Sequence, residues 1–230
     1  ANELARHNLL CYVNCDIVLT EDFGAALERV AAWSRKFLMV GRRWDTDITA
    51  PLDFAQRDWA AKVRTQALAA NRPRSSEWID YFAFSRGLYM GNTPGFVIGR
   101  PGWDNWLVWH ARRAGASVVN ASEVVVAVHQ NHDYAYHPDG EQGIWHGLEA
   151  QRNYALLEGN RRFATLENAT HRLTAEGFRV NYRHWLVQAE RRARAEASRV
   201  WFGVLHLTRP VRHRLGLRQE RLAGMPKRGQ

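Results

Sequence analysis

Three short segments carry residues whose types and spacing could do chemistry. The first is Asn14-Cys15-Asp16, an amide and a carboxylate that follow directly on the apolar run LLCYV. Open α/β sheets bind ligands at the carboxyl ends of their strands. A carboxylate in that position can hold a divalent cation that neutralises a phosphate leaving group, but the same trio could equally serve as a turn. The second is GRPGWDNW at 99–106. Trp103 and Trp106 offer flat apolar faces suited to a sugar ring, and Asp104 could take a proton from an attacking hydroxyl as a general base. Against that stand an N-cap role for Asp104 and a core role for the tryptophans. The third is His129-Gln-Asn-His132-Asp133-Tyr134, where two imidazoles and a carboxylate close an apolar strand. Imidazole is a common metal ligand, although a lone structural histidine is held by hydrogen bonds alone.

Weaker candidates lie beside these. Arg42 and Arg43 end another apolar run close to Asp45 and Asp47, so they could contact phosphate or pair with those acids. Asp80 precedes the run YFAFS and could bind a hydroxyl or cap a turn, and Asn105 follows Asp104 directly.

Elements must position these groups, and the hydrophobic pattern supplies them. Leu9 to Val13, 37–43, 81–85, 117–120 and 124–129 read as strands, most of them short apolar runs ended by polar residues. Apolar residues at helical spacing predict helices over 22–34, 53–70 and 104–114, the first with Glu21 and Asp22 where acids favour the helix dipole. The Gly/Pro-rich stretch 91–102 reads as a structured loop with a short strand inside it, and 132–143 as a polar, aromatic loop. Alternating strands and helices predict an α/β fold. The α/β domain is expected over 1–160, and residues 161–230 as a basic extension, helical over 161–200 with an Arg-rich tail.

Charge supports that division. Residues 1–150 carry 15 Lys/Arg against 17 Asp/Glu, whereas residues 151–230 carry 17 against 6, so the net charge of +9 belongs to the C-terminal third. That third has no RNA- or DNA-binding signature. A solvated helical face, or one that meets anionic lipid or phosphate, accounts for it better. With 46% hydrophobic and 24% charged residues, the chain is of globular composition. No apolar run approaches the roughly 20 residues that span a bilayer, and no secretory signal is read. Cys11 and Cys15 are too few for a disulfide framework and poorly spaced for zinc. A reducing cytoplasm is the expected location.

Taken in order, YVNCDIVLTEDF, FLMVGRRWDTD, EWIDYFAFSRGLY, PGFVIGRPGWDNWL and AVHQNHDY resemble a group of family-2-like glycosyltransferase proteins of the GT-A fold, over about residues 4–155. The resemblance implies a GT-A-like, partial mixed sheet flanked by helices. In such proteins a D-x-D motif binds the metal and the donor diphosphate, so Asn14-Cys15-Asp16, which lacks the first acid, leaves that role to Asp16. Gly102-Trp103-Asp104 is similar to the segment carrying the base of inverting enzymes, which gives Asp104 that role. A later strand supplies a histidine ligand, here His129 or His132, with His129 preferred. Donor and acceptor contacts would fall to Arg42, Arg43, Asp80, Trp103, Asn105 and Trp106.

The expected cofactor is a divalent metal, Mn2+ or else Mg2+. The expected partners are a nucleotide-sugar donor and a glycan or lipid-linked acceptor, with peripheral contact to the inner face of the membrane through the basic C-terminus. The nucleotide-binding half that precedes the D-x-D strand in GT-A domains is not recognised in this chain. Its absence would leave an open sheet edge, to be covered by the C-terminal helices or in a homo-oligomer, and would weaken catalysis by the isolated chain. Two other readings stand beside the transferase: a carbohydrate- or partner-binding module without catalysis, and a metal-dependent hydrolase built on Asp16, His129, His132 and Asp133.

Overall fold

The computed structural model describes residues 4–91 and 93–182. All belong to the first of two units into which the chain divides, Ala1–His184 and Trp185–Gln230. Their architecture is α/β, with mixed β-sheet flanked by helices.

Six strands form the larger sheet. They are β1 (Leu9–Val13), β3 (Phe37–Val40), β5 (Tyr81–Ser85), β6 (Ser117–Asn120), β8 (His171–Leu173) and β9 (Phe178–Val180), in spatial order β1-β5-β3-β6-β8-β9. β3, β6 and β8 run parallel, β5 is antiparallel to both β1 and β3, and β9 is antiparallel to β8. A smaller sheet, in order β2-β7-β4, comprises β2 (Ile17–Val18), β4 (Arg43–Thr46) and β7 (Ala127–Gln130). β4 and β7 are parallel, and β2 runs antiparallel to β7. The chain therefore passes from the larger sheet to the smaller one three times, after β1, after β3 and after β6.

Side chains on a strand alternate between its two faces, and both faces of the larger sheet are covered at β5, β3 and β6. Phe37 and Met39 join Tyr81, Ala83 and Val119 beneath Ala26 and Val30 of α1 (Glu21–Trp33). Leu38 and Val40 join Phe82, Phe84 and Val118 beneath Trp106, Val108 and Ala111 of α3 (Trp103–Arg113). α2 (Trp59–Ala70) lays Val63 and Ala67 on Val126 and Val128 of the smaller sheet's layer. Two glycines stand where a side chain would not fit. A Cβ on Gly41, just after β3, would stand 2.1 Å from the hydroxyl of buried Tyr81. Gly102 begins α3 at φ 94°, where a side chain would also meet Leu157 at 2.6 Å.

The structure departs from the sequence reading at several places. The run 37–43, read as one strand, ends at Val40 as β3 of the larger sheet, and Arg43 already opens β4 of the smaller one. The helix expected over 53–70 starts only at Trp59, because Asp53 holds the preceding residues in turns through bonds to Ala55 and Gln56. No strand forms within the described part of 91–102. That loop is pinned instead by the buried amide of Asn153, which accepts from the N–H of Val97 and donates to the carbonyls of Val97 and Pro101. The loop 132–143 ends sooner than expected, at α4 (Gly140–His146), which α5 (Leu148–Leu156) follows.

The last departure concerns the region beyond residue 160. Residues 161–181 hold no α-helix: a 3-10 turn, Leu166–Asn168, leads into the hairpin of β8 and β9, and β8 extends the sheet by pairing with β6. The sheet thus continues past residue 160 to Val180. Three-residue strands hold here because Leu173 enters the core and Arg29 of α1 donates to the carbonyl of Thr174 in the connecting turn. The remainder of the expected helix and the Arg-rich tail, 183–230, lie outside the described residues.

β1 is an edge strand with Leu9, Cys11 and Val13 exposed, and both cysteines are free. Among the described residues no helix is long and apolar enough to cross a membrane.

Candidate functional site

The candidate site lies where the chain crosses between the two sheets. Leaving β1, Asn14 donates its N–H to the carbonyl of Asp80 and its side-chain amide to the Asp80 carboxylate at 2.6 Å. The turn that follows delivers Asp16 to β7: β2 pairs with β7 so that Ile17 faces His129, and the Asp16 carbonyl accepts from Gln130. On the other side of β7, the parallel register sets Asp45 of β4 opposite His129. His132, just past the end of β7, turns back toward the Asp16 carboxylate.

Asp16 Oδ2 stands 3.5 Å from His129 Nε2 and 3.2 Å from His132 Nε2. Ligand atoms of these three residues all lie within 4.8 Å of one another. The other Asp16 oxygen, Oδ1, is buried and has no hydrogen-bond partner among the described residues. In His132, Nδ1 lies 2.8 Å from the carbonyl oxygen of Asp133. A carbonyl only accepts, so Nδ1 carries the proton and Nε2 presents its lone pair toward the carboxylate unless a second proton sits there. A carboxylate and imidazole lone pairs converging on one point, with an orphaned carboxylate oxygen beside them, fit a divalent cation.

Electrostatics around the cluster are tightly balanced. Buried Arg43 donates through Nε to Asp45 at 3.0 Å and through a terminal nitrogen to Asp80 at 3.1 Å. Arg74 bonds the second oxygen of Asp45. Burial would raise Asp45, but His129, Arg43 and Arg74 outweigh it and hold the carboxyl down at about 2. Asp16 is lowered in the same sense, with His129 and His132 overcoming its burial. Burial lowers His129, yet Asp16 and Asp45 prevail and raise it. At Asp80 the balance is reversed: burial wins over Arg43 and the carboxyl is raised.

A cavity of about 270 Å³ opens beside the cluster. Asp16, His129 and His132 contribute to its lining, as do Arg43, Asp80 and Asp104. Asp104 stands in the first turn of α3, with Oδ1 buried and unpartnered among the described residues. Burial pushes its carboxyl up to about 7, the neighbouring charge of Asp80 adds to the rise, and backbone N–H groups oppose it. A carboxylate poised there can accept a proton from a substrate hydroxyl near neutral pH.

The other residues singled out from sequence separate into two groups. Trp103 touches the cavity but is mostly consumed by packing on Tyr12 and Phe82. Trp106 faces away from the cavity into the core, against Phe96 and His110. Asn105 reaches the lining, but its amide ties the start of α3 to the carbonyls of Glu77 and Ala164. Arg42 lies outside the lining, its N–H bonded to Ser122. Asp133 turns a carboxylate oxygen to the N–H of Ala135 and is not part of the three-residue cluster.

Sequence reasoning named Tyr134 but missed Trp78, Trp145 and Tyr154, which line the same cavity. Trp78 and Trp145 meet edge to face at 5.1 Å, and the guanidinium groups of Arg43 and Arg74 lie 4.8 and 5.1 Å from the Trp78 ring. The signal available for Trp78 was its position two residues before Asp80. Trp145 stood in a helix of seven residues with no recognisable motif.

Fold and site together define an α/β protein with a three-residue cluster at metal-chelating distance beside a cavity that holds a buried carboxyl group. Comparison with protein families, with curated proteins and with solved structures finds no match.

Proposed function

We propose that this chain carries the metal and acceptor side of a GT-A-like glycosyltransferase, which moves a sugar from a nucleotide-sugar donor to an acceptor hydroxyl. The observation that carries the reading is the common cavity: Asp16, His129 and His132 line it together with Asp104, whose carboxyl is pushed up to about 7. In this mechanism Asp104 accepts the proton of the acceptor hydroxyl as that oxygen bonds to the anomeric carbon. The bond from that carbon to the donor diphosphate breaks, and its electron pair leaves with the diphosphate. Attack from the face opposite the leaving group inverts the configuration. A divalent cation, Mn2+ in preference to Mg2+ for a site with two imidazoles, supplies positive charge to the departing diphosphate. Asp16, His129 and His132 are the residues that would hold it. Trp78 and Trp145 provide apolar faces for sugar rings.

The test is calorimetric titration of Mn2+ with and without UDP, paired with transfer assays over a panel of nucleotide-sugars and glycan or lipid-linked acceptors. Metal binding that tightens with nucleotide, and transfer lost in Asp16→Ala and Asp104→Asn, are the expected results. Metal-dependent ester hydrolysis that ignores nucleotides would favour a hydrolase. Glycan binding that survives chelation and Asp104→Ala would favour a binding module. Placement at the inner face of an anionic membrane belongs to the same proposal. It predicts that liposome binding disappears when residues 200–230 are deleted.

A further inference from the structure

We infer that Asp45 is a positioning residue for the candidate metal centre, holding the His129 ring so that Nε2 faces the cation. The inference rests on the metal reading of Asp16, His129 and His132, and it concerns a residue that touches neither substrate nor cation.

The His129 ring lies between two carboxylates. Its Nε2 stands 3.5 Å from Asp16, and its Nδ1 stands 3.3 Å from Asp45 Oδ1. The Nδ1 approach is not aligned for a hydrogen bond, so this buried nitrogen has no partner of good geometry. Leaving such a group unpaired is costly, and the Asp45 carboxylate at 3.3 Å is the acceptor beside it. An acceptor on Nδ1 keeps the proton on that nitrogen and leaves the Nε2 lone pair for a cation, as carboxylates behind metal-bound histidines do.

Asp45 is held firmly enough for that role. Its N–H donates to the carbonyl of Arg72, and the Arg74 N–H donates to the carbonyl of Arg43, which locks the 72–74 segment along β4. Arg43 binds Oδ1 and Arg74 binds Oδ2. The same two guanidinium groups lie over Trp78, and Arg43 also reaches Asp80. The orientation of His129 is therefore tied to a wall of the cavity. A purely structural account makes Asp45 a counter-charge for the two arginines and gives it no effect on the cation.

The experiment titrates Co2+ and Mn2+ into the full chain as wild type, Asp45→Asn, Asp45→Glu and Asp16→Ala, with folding followed by circular dichroism and thermal melting. Co2+ adds a visible spectrum that reports the ligand set. Asp45→Glu keeps the charge that the arginines need while displacing the carboxylate by one methylene, so it answers the question even if Asp45→Asn is unstable. The expected result is affinity reduced about 10- to 100-fold in both Asp45 variants, with shifted Co2+ bands. Wild-type affinity and an unchanged spectrum in the folded Asp45 variants, alongside lost binding in Asp16→Ala, would overturn the role of Asp45 and leave the metal centre standing. Failure of the wild type to bind either cation would overturn both.

Discussion

His132 Nε2 lies 3.2 Å from Asp16 Oδ2 while Nδ1 of the same ring is engaged at 2.8 Å with the carbonyl of Asp133. That backbone contact fixes the tautomer, because a carbonyl cannot donate. The nitrogen facing Asp16 is then the one that binds either a cation or a second proton.

Metal binding at this cluster should accordingly compete with protons. His129 is raised above its usual value because Asp16 and Asp45 outweigh its burial, and ligation requires the neutral ring. Mn2+ affinity is expected to fall as pH drops from about 8 to about 6. Calorimetry in buffers of different ionisation enthalpy should register proton release, and an affinity flat across that range would count against the cluster.

Asp104 predicts opposite effects on activity and stability. Its folded value of about 7 lies above the ordinary 3.8, so the folded state holds this proton more tightly than the unfolded chain does. The resulting stabilisation is complete below the unfolded value and is lost as pH rises through the folded one. Asp104→Asn should therefore melt progressively higher than wild type as pH rises above about 4. The gain should level off above about 7, at an order of a few kcal/mol. Transferase kcat/KM should rise through about pH 7 in the wild type and be abolished in the variant.

Arg43 stands between two buried carboxylates, Asp45 and Asp80. Removing it leaves both uncompensated, so Arg43→Ala should cost about 3–5 kcal/mol in urea unfolding at neutral pH. Arg43→Lys should recover little, because a single ammonium group cannot reproduce the Nε and terminal-nitrogen bonds together.

Gly41 and Tyr81 form a steric pair. Gly41→Ala should destabilise by about 1–3 kcal/mol through overpacking against the Tyr81 hydroxyl. That hydroxyl is buried without a partner among the described residues, so Tyr81→Phe alone should be close to neutral. The double variant should recover part of the loss, and a double-mutant cycle showing simple additivity would contradict the contact.

The strands around Phe37, Tyr81 and Ser117 and the helices over Glu21–Trp33 and Trp103–Arg113 were legible because their signals are local: apolar period and acids in a first turn. Asp16, His129 and Asp104 were selected for a similar reason, being polar groups at the ends or starts of such elements, and all three line one cavity. The hairpin β8–β9 was not legible. Three-residue strands carry too little period of their own, and this pair exists because β6 offers an edge and Leu173 finds the core.

The same division separates residues of identical type. The sequence leaves Trp106 open between core and sugar platform and does not single out Trp78, yet the face of α3 sends Trp106 into the core while the 72–80 segment sets Trp78 on the cavity wall. Asp45 and Asp47 differ by two positions: Asp45 is buried opposite His129, whereas Asp47, just past the end of β4, is exposed beside Arg72. The amino-acid sequence by itself determined which chemical groups end each element, since hydrophobic period and polar termini are written locally. Tertiary structure alone decided which of those groups meet, because the pairing of β4 with β7 joins segments far apart in the chain and leaves no local trace in either.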